Sequence, residues 1–181
     1  MALLTLAEAK AQLDLDTTTN DVELQAYIDS LTAVIEHHTG PVQTRTVTET
    51  IEGRSSVMCL SSIPAVALIS VVPTLTDDGP ADLATLVLDA PTGIVRRRSG
   101  TFAGMMWTVT YTAGRAAVPP TINLAARILL AHLWRTQYGA ARGGGGSDDY
   151  NVGDPIPGFG YAIPNRVLEL LEPYKLPPGV A

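Results

Sequence analysis

At 181 residues the chain is long enough for one domain, or one domain carrying a subdomain, and can bury roughly 70% of its unfolded surface without covalent staples. A formal net charge of −6 counts against a domain that grips nucleic acid through a basic stripe, though not against one that sits beside DNA without holding it. The single cysteine, Cys59, excludes an intrachain disulfide and suits a reducing compartment.

Met1-Ala2-Leu3-Leu4 has no basic flank, and Glu8 and Lys10 follow too soon for a secretory signal. Thr5 and Glu8 carry the hydroxyl and the carboxylate of a capping box, which predicts a helix to about Leu15. Asn20 and Glu23 repeat that signal after a polar break. Leu24, Tyr27, Ile28, Leu31, Val34 and Ile35 then share one helical stripe, closed by Gly40-Pro41. Residues 1–41 are expected to form an N-terminal αα-hairpin.

From Val42 onward β-branched residues dominate. "VQTRTVTETIEG" alternates like a half-exposed strand, and "SVMCL" reads as a short strand returning toward it. "VALISVVPTLT" reads as a more buried strand, with Pro73 marking an edge or a bulge. Its apolar stretch, residues 63–73, is broken by Pro64 and Ser70 and is too short to span a bilayer. "ATLVLD", "GIVRRR" and "MWTVTYTAG" complete about six strands joined by turns such as "TDDGPAD" and "DAPTG". Such short connections exclude parallel βαβ units and predict an antiparallel meander or small sandwich over residues 42–115.

Pro119 and Pro120 reopen helix. "TINLAARILLAHLWRTQY" is apolar on nearly every side, with Asn123, Arg127 and Arg135 as a narrow polar strip, which predicts a buried central helix over 116–138, about 30 Å long. Residues 139–163 read as a Gly-rich mobile loop. "IPNRVLELLEPY" gives a short helix within 164–181, and "KLPPGVA" an extended tail. The expected class is α+β: a mainly helical core (αα-hairpin, long central helix, short C-terminal helix) with an inserted antiparallel β subdomain.

The motifs that could carry chemistry fail on inspection. Gly143–Gly146 follows a helix instead of a strand, lacks a lysine, and precedes Asp148-Asp149, so it reads as a tether and not a phosphate cradle. His37 and His38 are adjacent on a helix and point about 100° apart, too far to share an ion easily. His132 lies on the apolar helix. Asp77-Asp78 and Asp148-Asp149 sit in turn sequences, where aspartate serves the turn. Cys59 and the serine pairs 55–56 and 61–62 have no histidine near them in sequence. Arg96-Arg97-Arg98 is the one dense basic cluster. On a strand Arg96 and Arg98 face one way and Arg97 the other. It reads either as a charged guard on an edge strand or as charge facing a partner surface or DNA. No catalytic, metal or cofactor site is expected, and the chain is not expected to be an enzyme.

"LTLAEAKAQLDLDTTTNDVELQAYIDSLTAVIEHHTG" resembles the opening of tailed-bacteriophage head–tail connector (adaptor) proteins: a short "LTLAEAK" helix, an acidic break, and a longer helix ending in "TG". "VTYTAGRAAVPPTINLAARILLAHLWRTQ" is similar to their second hallmark, a strand ending "YTAG" followed by "VP" and a helix with a tryptophan. "LLEPYK" is similar to the ending of the longer members. The three occur in the same order and span roughly the whole chain. The resemblance implies the longer form with a β insertion. It implies a structural virion protein at the head–tail interface, assembled in the host cytoplasm, which forms a homo-oligomeric ring of twelve copies beneath the portal and joins head to tail. The portal protein and the next connector, stopper or tail protein would be its partners. DNA would pass through the channel without sequence-specific binding, with no cofactor and no membrane involved. Carry-over places Tyr174, Lys175, Leu176, Pro177 and Pro178 at the portal contact. A head-closure stopper or tail-completion protein is the alternative. A small metal-dependent hydrolase using Asp77, Asp148 and a histidine is a third reading.

Overall fold

The structure, a computed structural model, describes residues 3–75, 79–142 and 163–176. The expected tether at Gly143–Gly146, the paired aspartates 77–78 and 148–149, and Pro177 and Pro178 lie outside them. The chain divides into two units, one built on Glu36–Val118 with Lys175 and Leu176, the other on Ala2–Ile35 and Pro119–Tyr174.

The first unit is made of strands. β1 (Arg45–Glu52), β6 (Met106–Ala113) and β3 (Ala65–Pro73) form one antiparallel sheet in the order β1-β6-β3. β2 (Val57–Cys59), β5 (Ile94–Arg97) and β4 (Leu86–Asp89) form a second, in the order β2-β5-β4. Along β6 every second residue is buried, namely Trp107, Val109, Tyr111 and Ala113. A strand with one wholly apolar face is best placed centrally, where that face meets a core on both flanks. The other sheet contributes Met58, Leu86 and Val95 to the same cluster, closed by Phe102 and Val71. Pro73 stands at the end of β3, an edge strand bulged between Ala65 and Ala67 and again between Leu68 and Ser70.

Of the two arrangements expected, a meander or a small sandwich, the meander is not formed: β6, last in sequence, lies between β1 and β3, and β2 pairs with β5 instead of returning to β1. Nor is the core mainly helical with a β insertion. The described residues carry two three-stranded antiparallel sheets beside four helices, and the strands enclose a hydrophobic core of their own. Helix signals such as caps and 3.6-residue stripes are local and conspicuous. A β core is assembled from alternate residues of distant strands, and its size shows only once they are paired.

The second unit holds α1 (Leu6–Leu13), most of α2 (Asp21–Thr39), α3 (Pro120–Arg142) and α4 (Asn165–Leu171). Thr5 and Glu8 close the capping box on α1 from both sides. α3 packs on α1 and α4. It buries Ile122, Ala125, Ala126, Leu129 and Leu130, beside Val167 and Leu171 of α4. The helix runs on through Gly139, which the sequence placed at the start of a loop.

Where α2 ends, the backbone turns sharply into β structure. Gly40 has φ +71° and Gly114 φ +113°, and a Cβ at Gly114 would collide with the carbonyl oxygen of Gln43. Gly114→Ala is expected to lower unfolding free energy by more than about 2 kcal/mol. Gly104→Ala, at φ +83° with no atom within 4 Å of the new Cβ, is expected to cost only about 1 kcal/mol. Paired urea denaturation curves separate collision from dihedral strain, and equal losses would contradict this packing.

Candidate interaction surfaces

The arginine run lies on and just past β5, and the pleat splits it. Arg97 shares the inner side with buried Val95. Its guanidinium lies over the rings of Phe102 (5.1 Å) and Trp107 (5.4 Å) and donates to the Thr101 carbonyl at 2.8 Å. Arg97 is therefore a lid on the β core. Arg96 and Arg98 are exposed on the other side. In register with Arg96 stand Val57 of β2 and Val87 of β4, the latter 41% exposed. Cys59, Ile94 and Asp89 form the next row of that outer face, with Cys59 exposed.

The remaining arginines of this unit are committed. Arg45 pairs with Glu36 at 2.8 Å, and Arg54 with Glu52 at 3.2 Å. Arg115 donates to the carbonyls of Thr39 (3.0 Å) and Pro41 (3.1 Å). Among the described residues, Arg96 and Arg98 have no ion-pair partner.

A second surface, not foreseen from sequence, is the outer face of β1-β6-β3. Thr46, Thr48 and Thr50 of β1 stand opposite Thr112, Thr110 and Thr108 of β6. The hydroxyls of Thr48 and Thr110 are 3.1 Å apart, and those of Thr74 and Thr108 2.9 Å. Threonine at every second position of "TRTVTET" and "WTVTYT" is the signal that marks it. At one end of this sheet a groove of about 220 Å³ is lined by Glu52, Pro73, Leu75, Gly104, Met105 and Met106. Leu75 is 79% exposed there.

Behind the threonine face, the Tyr111 hydroxyl donates to Glu49 at 2.8 Å and accepts from the Ser62 backbone N–H at 2.9 Å. Glu49 also accepts from the backbone N–H and the hydroxyl of Ser61. Burial, assisted by Glu49, pushes the Tyr111 phenol above its ordinary range against the opposing pull of Ser62.

In the helical unit the polar strip of α3 meets α1. Asn123 donates to the Leu3 carbonyl at 3.0 Å, and Arg127 to Glu8 at 2.7 Å. Trp134 packs edge-to-face on Tyr27, with ring centroids 6.0 Å apart. His132 is half-buried. Of the residues expected at a portal contact, the Tyr174 hydroxyl accepts from Thr121 at 3.0 Å. Lys175 is exposed, and the Leu176 N–H donates to the His38 carbonyl at 3.0 Å. His37 and His38 meet edge-to-face at 5.5 Å. No cluster of His, Cys, Asp and Glu that could hold a metal occurs among the described residues.

Glu8 ties the α1 cap to α3. The Thr5 backbone N–H, then the Thr5 hydroxyl, hold its carboxyl below the ordinary value of 4.5; burial works against this, and Arg127 adds a lesser pull downward. A carboxyl whose pKa is lower in the folded state stabilises the fold above 4.5 and loses that contribution as pH falls through the folded value. Glu8→Ala is therefore expected to be less stable than the parent at neutral pH, with the gap closing as pH drops below 4.5. Thermal melts across an acid series check this, and a gap independent of pH would mean that the carboxylate charge is not what acts.

Residues 2–176 match the family described as head completion protein. No curated protein matches the chain closely enough to count as a relative. Among solved structures, the neck of an empty GTA particle with C6 symmetry is similar at a TM-score of 0.68 and 19% identity, covering 99% of this chain and 92% of that one. The neck of the native particle with C12 symmetry matches with the same identity and coverage at a TM-score of 0.65. The virion of the native gene transfer agent particle matches at 0.58, again with 19% identity and the same coverage. At that identity the likeness speaks for the fold.

Proposed function

Because this chain belongs to the head completion protein family and is a structural head–tail connector of the virion, we propose that it works as one subunit of a ring, of twelve copies, beneath the portal, extending the DNA channel toward the tail. The observation that carries the ring is the shared fold with neck structures of C6 and C12 symmetry, over 99% of this chain. The chemistry of the surfaces is consistent with it. A cyclic assembly needs two different faces on each protomer, and the β unit alone offers a threonine face and an arginine face. A net charge of −6 gives passing DNA little to hold.

In this reading the segment Tyr174, Lys175, Leu176, Pro177 and Pro178 meets the portal, and the next connector, stopper or tail protein docks on the opposite side of the ring. The protein performs no turnover. A second reading, a head-closure stopper or tail-completion protein, draws on one observation: the β unit has a complete core of its own, as a plug-like β module would require.

Negative-stain imaging of the protein mixed with heads that carry the portal but lack this chain tests the proposal. The expected result is an added ring of the portal's symmetry at the vertex. Loss of that ring, with circular dichroism unchanged, is expected for a Tyr174→Ala, Lys175→Glu variant. If the parent chain leaves the vertex bare, or joins it only after another connector is already in place, the adaptor assignment fails; the second outcome favours the stopper.

A further inference from the structure

The charge of the chain is unevenly divided. Between Glu8 and Asp29 lie six carboxylates and one cation, Lys10. Glu8 is taken by Arg127, and Asp21 by Lys10 at 2.8 Å. Asp14 and Asp16, in the connection between α1 and α2, are both exposed and have no cationic partner among the described residues. Asp14 is the left-handed cap of α1 (φ +57°), so the chain leaves the helix there. Six residues beyond Asp16, Val22 is 87% exposed, more than any other large apolar side chain among the described residues.

The outer face of β2-β5-β4 is the reciprocal of this. It carries two arginines with no ion-pair partner among the described residues, two residues apart and so about 6.6 Å along the strand direction, beside Val57 and Val87. Each element exposes two like charges two residues apart, and the signs are opposite. We propose that neighbouring copies in the ring join through these two surfaces: Arg96 and Arg98 of one copy against Asp14 and Asp16 of the next, with Val22 of that copy set against Val57 and Val87.

The inference rests on the ring reading and names its subunit contact. The two surfaces differ, so the contact is heterologous, as cyclic closure requires, and every copy donates one of each. The valines supply apolar area to be removed from water, while the arginine pairs set register and steer approach. DNA is disfavoured as the occupant because the arginines stand among Val57, Val87, Ile94 and Asp89, a setting that suits a desolvated protein contact better than a phosphate track.

The test uses charge reversal on the full chain. One variant carries Arg96→Asp and Arg98→Asp, the other Asp14→Arg and Asp16→Arg. Each alone is expected to add to portal-bearing heads at least about tenfold less well than the parent, because like charges then face each other. An equimolar mixture is expected to restore ring formation, since each reversed surface then meets a complementary one on both neighbours. Parent assembly is also expected to weaken as salt rises. The inference is overturned if either variant assembles like the parent, or if the mixture stays unassembled while both variants keep the parent's circular dichroism. Failure of the parent itself to form a ring would instead remove the ring reading beneath it.

Discussion

Arg115 holds the place where the long helix becomes a sheet. The last carbonyls of α2 have no partner within the helix, and a guanidinium bridging the Thr39 and Pro41 oxygens satisfies two acceptors while placing positive charge at the negative end of the helix dipole. Arg115 itself lies one glycine beyond the end of β6, so the same residue joins the exit of the helix to the central strand of its sheet. Gly40 and Gly114 flank this clamp with backbone conformations that side chains rarely adopt. Were the clamp lost, β1 would begin from an unanchored turn, and the register that pairs its threonines with those of β6 would have no fixed origin.

Local physics was the legible part of the sequence. The capping box at Thr5 and Glu8 involves residues three apart and forms as read. The alternation of Arg96, Arg97 and Arg98 across β5 follows from the pleat alone. Asn123 and Arg127 stood out as polar on an apolar helix, yet their partners, Leu3 and Glu8, lie near the opposite end of the chain and no spacing rule reaches them. The insertion of β6 between β1 and β3 was hidden for the same reason: six alternating strands allow many pairings, and long-range contacts select among them. Weighing helices by their clear signals then made the helical part look like the whole core. Of the candidate contact residues, the structure gives surroundings to Tyr174, Lys175, Leu176 and the three arginines, and it separates Arg97 from its two neighbours as a packing residue.

Polar groups of the β unit have structural occupations. Glu49 gathers Ser61 and Tyr111 and so fixes a loop to the sheet. His38 offers its backbone carbonyl to the C-terminal segment. This is how a protein that works by contact is expected to use its polar groups: inside, to determine a single packing, and outside, to choose neighbours.

The two outer faces of the β unit answer differently to the surrounding solution. On the threonine face the side chains are branched at Cβ and two pairs of hydroxyls already bond each other, so a partner settling on those threonines would freeze little motion. On the arginine face, attraction reaches only as far as the local ion atmosphere permits. Diluting or concentrating electrolyte therefore acts on one side of the same β unit and leaves the other almost indifferent. A contact made through the arginine face would loosen as electrolyte rises, while one made through the threonines would hold.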